Sequence, residues 1–195
     1  MILPRRQFVI CGLLACATPV MAADDQRFDY RGHSVDLSAV PGGERAGLAA
    51  YIRQQIDLVE GLAIREDIKV WFRTIGIGID PTLNMPGRFR EGQLTLDDSV
   101  SPPDNPVLLH ELLHAYMAER LPRTGELRRF YAAAMASGDW PAQAYMLSNI
   151  NEFFAMTASV ALWGQAARAP GTRERLRAAM PEYYGWLVRE FGLQA

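Results

Sequence analysis

Cysteine is nearly absent from this chain. Of 195 residues only Cys11 and Cys16 are cysteine, and both fall within a leader-like first 22. Cleavage after Ala22 leaves none, which excludes a disulfide framework and any cysteine-ligated zinc or iron–sulfur site. The apolar stretch of that leader, Phe8 to Ala17, is about ten residues, half of the roughly 20 needed to cross a bilayer as a helix. No stable membrane span is expected from it. Runs of Lys and Arg are missing as well. Losing Arg5 and Arg6 with the leader leaves 18 basic against 22 acidic residues, a net of −4. A mildly acidic surface of this kind argues against nucleic acid and against anionic membranes as partners. The chain also lacks internal repeats and low-complexity tracts, and it has only three histidines.

What is present is enough for a folded domain. Apolar residues make up 49% and aromatic residues 10% of the chain, which excludes intrinsic disorder. Residues 23–195 suffice for one domain with a real core. Residues 1–22 have the layout of an export signal: a short basic region, the apolar stretch, then Val20 and Ala22 placed three and one residues before a cut at Ala23. Pro4-Arg5-Arg6-Gln7-Phe8-Val9 resembles a twin-arginine signal, with Pro where Ser or Thr is usual. An ordinary Sec signal fits the same segment. A third reading makes Leu13-Leu14-Ala15-Cys16 a lipoprotein site, with Leu14 an uncommon residue at its position. All three place the protein outside the cytoplasm, in the periplasm or beyond.

Phe28 and Tyr30, then Val35 and Leu37, alternate with polar residues around Arg31-Gly32-His33 and predict a small hairpin with His33 as a solvent-exposed turn residue. Leu48, Ile52, Ile56 and Val59 recur at helical spacing, with Gly61 as the terminating cap. Ile68 to Phe72 is a strand candidate. The stretch from Gly76 to Gly92, rich in Gly and Pro, predicts loop, and Gln93 to Leu96 a short strand. Beyond it the pattern turns helical. A helix from Pro106 to about Leu121 follows a cap at Asp104 or Asn105, and another opens at Thr124 and ends at Gly138. A third runs from Asn149 to Trp163 with Gly164 after it, and the pair Thr172–Met180 and Pro181–Phe191 closes the chain. The fold class is α+β, with a small N-terminal β part and a helix-dominated C-terminal two-thirds.

The chemistry lies in His110-Glu111-Leu112-Leu113-His114, inside the first of those C-terminal helices. Residues four apart share one helical face, so both imidazoles can reach one ion at roughly 2.0–2.1 Å. Glu111 follows the first of them and is placed as a general base rather than a ligand. Random placement of this composition yields the pattern in roughly 0.3% of chains. The bland alternative is a buried helix whose histidines only hydrogen-bond. Catalytic zinc usually takes three protein ligands and a water. The metzincin continuation requires Gly and His where Met117 and Arg120 stand, so that subclass is excluded. With His33 assigned to a turn, the third ligand is expected to be a carboxylate. Glu152 is the candidate, since an acid among Phe153, Phe154 and Ala155 is expensive to bury unless paired or metal-bound. Asn149 and Glu152 also fit a helix capping box, a competing use of the same side chain.

His110-Glu111-x-x-His114, followed by Tyr145, Ser148-Asn149 and Glu152-Phe153-Phe154-Ala155, resembles the gluzincin pattern of the anthrax lethal factor protease domain and its bacterial relatives. The resemblance covers about Pro106 to Trp163 and loosely Pro181-Glu182-Tyr183-Tyr184. It implies a zincin-like fold, with His110, His114 and Glu152 as ligands of one Zn²⁺ per chain, Glu111 as base, and Tyr145 as stabiliser of the oxyanion. Met156 departs from the pattern, which has a second acid there. An exported zinc metallopeptidase acting on peptide or protein substrates is the leading expectation. A zinc-dependent amidase on a non-protein amide could use the same site. A zinc-binding interaction domain without turnover is the third possibility, against which an intact Glu111 speaks. Gln93–Leu96 is either an edge strand able to pair with an extended substrate or an internal strand.

Overall fold

The computed structural model describes residues 26–102, 105–121 and 125–193. The leader, with Cys11 and Cys16, and the caps expected at Asp104 and Thr124 lie outside the described residues. In chain order the elements are β1 (Arg27–Tyr30), β2 (His33–Asp36), α1 (Gly42–Glu60), α2 (Glu66–Arg73), β3 (Ile77–Ile79), β4 (Gly87–Arg90), β5 (Gln93–Leu96), α3 (Val107–Glu119), α4 (Gly125–Ser137), α5 (Ile150–Trp163), α6 (Arg173–Ala179) and α7 (Pro181–Phe191). A 3-10 turn, Tyr145–Leu147, precedes α5. The fold is α+β, as the sequence pattern predicts.

The strands form one sheet in the order β1-β2-β3-β5-β4. β2, β3 and β5 run parallel, while β1 and β4 are antiparallel to their neighbours. Both antiparallel pairs close through two-residue turns with positive φ at each position: Arg31 (49°) and Gly32 (85°), then Glu91 (54°) and Gly92 (78°). Two left-handed residues match the right-handed twist of hairpin strands. The first hairpin follows the expectation. The second, with β3, occupies the stretch expected to be loop, where the many Gly and Pro residues masked three- and four-residue strands.

Ile68 to Phe72 is not a strand but the body of α2. Ile68 and Phe72 are fully buried while Val70 between them is 51% exposed. That is a spacing of four, and a strand would have put all three on one face. Glu66 and Asp67 in the first turn and Arg73 in the last also complement the helix dipole. His33 departs from expectation too. It is fully buried, with Nε2 at 2.9 Å from Glu60 Oε1. The turn consists of Arg31 and Gly32, and His33 is the first residue of β2, on its inward face.

Helix α3 lies against α5, α1, β4 and β5. Leu108, Leu109, Leu112, Leu113 and Ala115 are fully buried. Up to Met117 its only partly exposed residues are His110, His114 and Met117, at i, i+4 and i+7, one strip along the helix. No side chain of its own caps its start. Instead buried Gln55 of α1 accepts a hydrogen bond at 3.3 Å from the Leu108 N–H through Oε1. Behind α5, Tyr183 of α7 stacks on Phe153 (centroids 4.9 Å apart) and on Trp186 (5.8 Å). Its hydroxyl is 2.7 Å from Thr157 Oγ1. That packing fixes the rotation of α5.

Candidate metal centre

The facing strips of α3 and α5 bring three side chains together. His110 and His114 approach nitrogen to nitrogen, 3.0 Å between their Nε2 atoms, with rings nearly perpendicular at 88°. Glu152 reaches them from α5, Oε2 at 3.2 Å from His110 Nε2 and Oε1 at 3.5 Å from His114 Nε2. Donors held 2.0–2.1 Å from a tetrahedral ion stand roughly 3.3 Å apart, and the three separations bracket that spacing. Glu152 Oε2 is buried and makes no hydrogen bond of adequate geometry, an acceptor with a lone pair aimed at the cluster. Burial would raise the Glu152 carboxyl, but the two imidazoles outweigh it and hold the group far below the usual carboxylate range. Among the described residues this donor set of two imidazoles and a carboxylate could hold one metal ion.

The two readings of Glu152 are resolved atom by atom. Asn149 does cap α5, its Oδ1 accepting from the Asn151 N–H at 2.9 Å and the Glu152 N–H at 3.0 Å. The reciprocal half of a capping box would need the Glu152 carboxylate to turn back to the Asn149 N–H. It points to the histidines instead. Backbone and side chain of one residue thus do separate work.

Glu111 sits one residue along α3, 5% exposed, beside the cluster. Burial pushes its carboxyl above the usual range; the two imidazoles and a hydrogen bond from the Phe89 backbone pull the other way, and Glu152 adds to the rise. Strand β4 presses closely on it. A Cβ on Gly87 would stand 2.7 Å from Glu111 Cγ and 2.9 Å from Leu96 Cδ2, so only glycine admits this approach. Tyr145, in the 3-10 turn, borders the same cleft. Burial first, and then the nearby negative charge of Glu152, push its hydroxyl up to about 12. The Arg168 guanidinium lies 5.7 Å from its ring centre.

The cleft has a volume of about 1190 Å³, just above the upper end of the range of small-molecule sites. One wall is β4, which among the described residues pairs only with β5. Gln93–Leu96 is internal, held by β3 and β4 on either side, so of the two readings considered for it the internal strand holds, and Gly87–Arg90 is the last strand on this side of the sheet. Met156 lines the cleft where the lethal factor pattern has an acid.

Among solved structures, the Pro-Pro endopeptidase PPEP-2 from Paenibacillus alvei resembles this chain, with a TM-score of 0.51 at 17% identity, over 80% of this chain and 96% of that one. The likeness is one of fold. No protein-family model and no curated protein matches the sequence. Among the described residues no helix is long and apolar enough to cross a membrane.

The sequence pattern missed three groups that shape this site: Gly87 and the Phe89 N–H, hidden in the presumed loop, and Gln55, a polar residue on the buried face of α1. Gln55 left a readable trace. It stands beside Ile52, Ile56 and Val59 in the helical pattern, where a polar side chain needs a partner.

Proposed function

We propose that the chain is an exported zinc metallopeptidase of the gluzincin type, a single domain behind a removable leader. One Zn²⁺ would be held by His110, His114 and Glu152. The observation that carries this is the convergence of those three donors with a buried carboxylate, Glu111, that sits beside them without joining them. A closed structural site fills its fourth position and has no use for such a base. That a peptidase shares the fold supports the reaction class. Export rests on the leader sequence.

Zinc held there would supply Lewis acidity to a substrate carbonyl and to water. Glu111 takes the proton of the attacking water and delivers it to the leaving nitrogen, and a carboxyl raised by burial suits both halves of that transfer. Tyr145 donates its hydroxyl to the carbonyl oxygen as negative charge develops. The open edge of β4 aligns an extended substrate by main-chain hydrogen bonds.

The test pairs metal analysis with turnover of a peptide library. Wild type should carry one zinc, and Glu152→Ala should retain it poorly. Glu111→Gln should keep zinc and lose roughly 10²–10⁴-fold in rate. A wild-type protein without zinc, or a Glu111→Gln protein of normal activity, overturns the proposal.

A further inference from the structure

Three arginines border the cleft from three different elements: Arg88 on β4, Arg128 on α4, and Arg168 in the segment joining α5 to α6. Among the described residues none is in an ion pair. Arg168 rests over Tyr145, and Arg88 feels Asp80 only at Coulombic range. Among the described residues the only carboxylates lining the cleft are Glu111 and Glu152. A divalent cation in the cluster would balance those two, leaving three guanidiniums uncompensated. The chain as a whole has a net charge of −2, so the cleft opposes the sign of the protein around it.

Resting on the peptidase reading, we propose that the cleft selects peptide segments carrying Asp or Glu close to the bond to be cut. Arg168 places the nearest of these charges. It lies against Tyr145, which lines the cleft together with Glu152, so a carboxylate paired with it sits within a residue or two of the cluster. Arg88 and Arg128 extend the positive lining along the β4 and α4 walls, where a bound chain runs outward from the centre. Exposed pairs are weak one at a time, but three of one sign around a concave site act together on encounter and on discrimination. Basic segments meet three like charges and are disfavoured.

The test measures binding of labelled decapeptide pools with central Asp/Glu, Gln or Lys/Arg to the full chain carrying Glu111→Gln, by fluorescence anisotropy. At about 50 mM salt the acidic pool should bind roughly tenfold tighter than the Gln pool, and at about 0.5 M salt the advantage should largely vanish. Each of Arg88→Gln, Arg128→Gln and Arg168→Gln should reduce the preference, and the triple variant should abolish it. Arg177→Gln, the same charge change on exposed α6 away from the cleft, should leave it intact. Equal or undetectable binding of all pools, a preference that survives in the triple variant, or equal competition by a single-stranded oligonucleotide overturns the proposal. Turnover of the same pools by the zinc-loaded wild type keeps the two readings apart. Charge-selective binding without cleavage overturns the peptidase and leaves the selection standing; cleavage indifferent to charge does the reverse.

Discussion

At Gly87 and Tyr145 the proposed function turns on single atoms. The missing Cβ of Gly87 lets β4 lie against Glu111, and an alanine there must push either the carboxylate or the strand aside. Displacing a catalytic group by about 1 Å commonly costs about 10²-fold in rate. Gly87→Ala should therefore lose activity on that scale at unchanged zinc content, as read by kcat against metal analysis. Unchanged kcat would show that Glu111 has slack in its position. Tyr145→Phe removes only a hydroxyl from a ring that is 44% exposed, so folding and zinc content should hold. kcat should fall roughly 10²-fold with little change in KM, the mark of a bond formed as charge develops. A Phe variant of normal kcat returns Tyr145 to a packing role.

At the scale of elements, the motif helix α3 depends on a neighbour for its first turn. Its Leu108 N–H is satisfied by Gln55 of α1, so Gln55→Met keeps the volume but strands a buried donor. The expected loss is about 1–3 kcal/mol of stability, seen in denaturant melts, with a zinc affinity that weakens because α3 carries both histidines. An unchanged melt would mean that water or another group takes over the cap. The same elements show what a sequence can disclose. The clustering of His110 with His114 is legible because helical spacing puts both on one face, and that of Glu152 because an acid among Phe153, Phe154 and Ala155 needs a partner. Residues Ile68–Phe72 were misread because a five-residue apolar stretch fits either period, and only the exposure of Val70 decides it. β3 and β4 were invisible because their order comes from pairing with distant strands rather than from their own residues. His33 was misplaced by one residue, enough to turn a solvated side chain into a core one.

For the molecule as a whole, His33 sets a limit on acid tolerance. Burial holds its pKa below the ordinary 6.5, against the pull of Glu60. Burial also works to raise the Glu60 carboxyl, but the hydrogen bonds from Arg73 and His33 win and keep it low. Both shifts mean that the unfolded chain binds protons the folded chain refuses. Their contribution is complete above about pH 6.5 and is lost as pH falls through the two folded-state values. Melting temperatures taken in chelator should fall from pH 7 toward 5, and His33→Gln should flatten the upper part of that fall. Parallel curves would show that His33 is not the sensor. A last consequence follows from where the three donors lie. His114 and Glu152 are 38 residues apart, with all of α4 between them, so an ion bound by both would staple a loop in a protein whose described residues include no sulfur bridge. By loop-closure entropy a tie of that span is worth roughly 4 kcal/mol against the unfolded chain. Withdrawing the metal should then loosen the helical half first, with added protease cutting near Gly125–Ser137 before it touches the sheet.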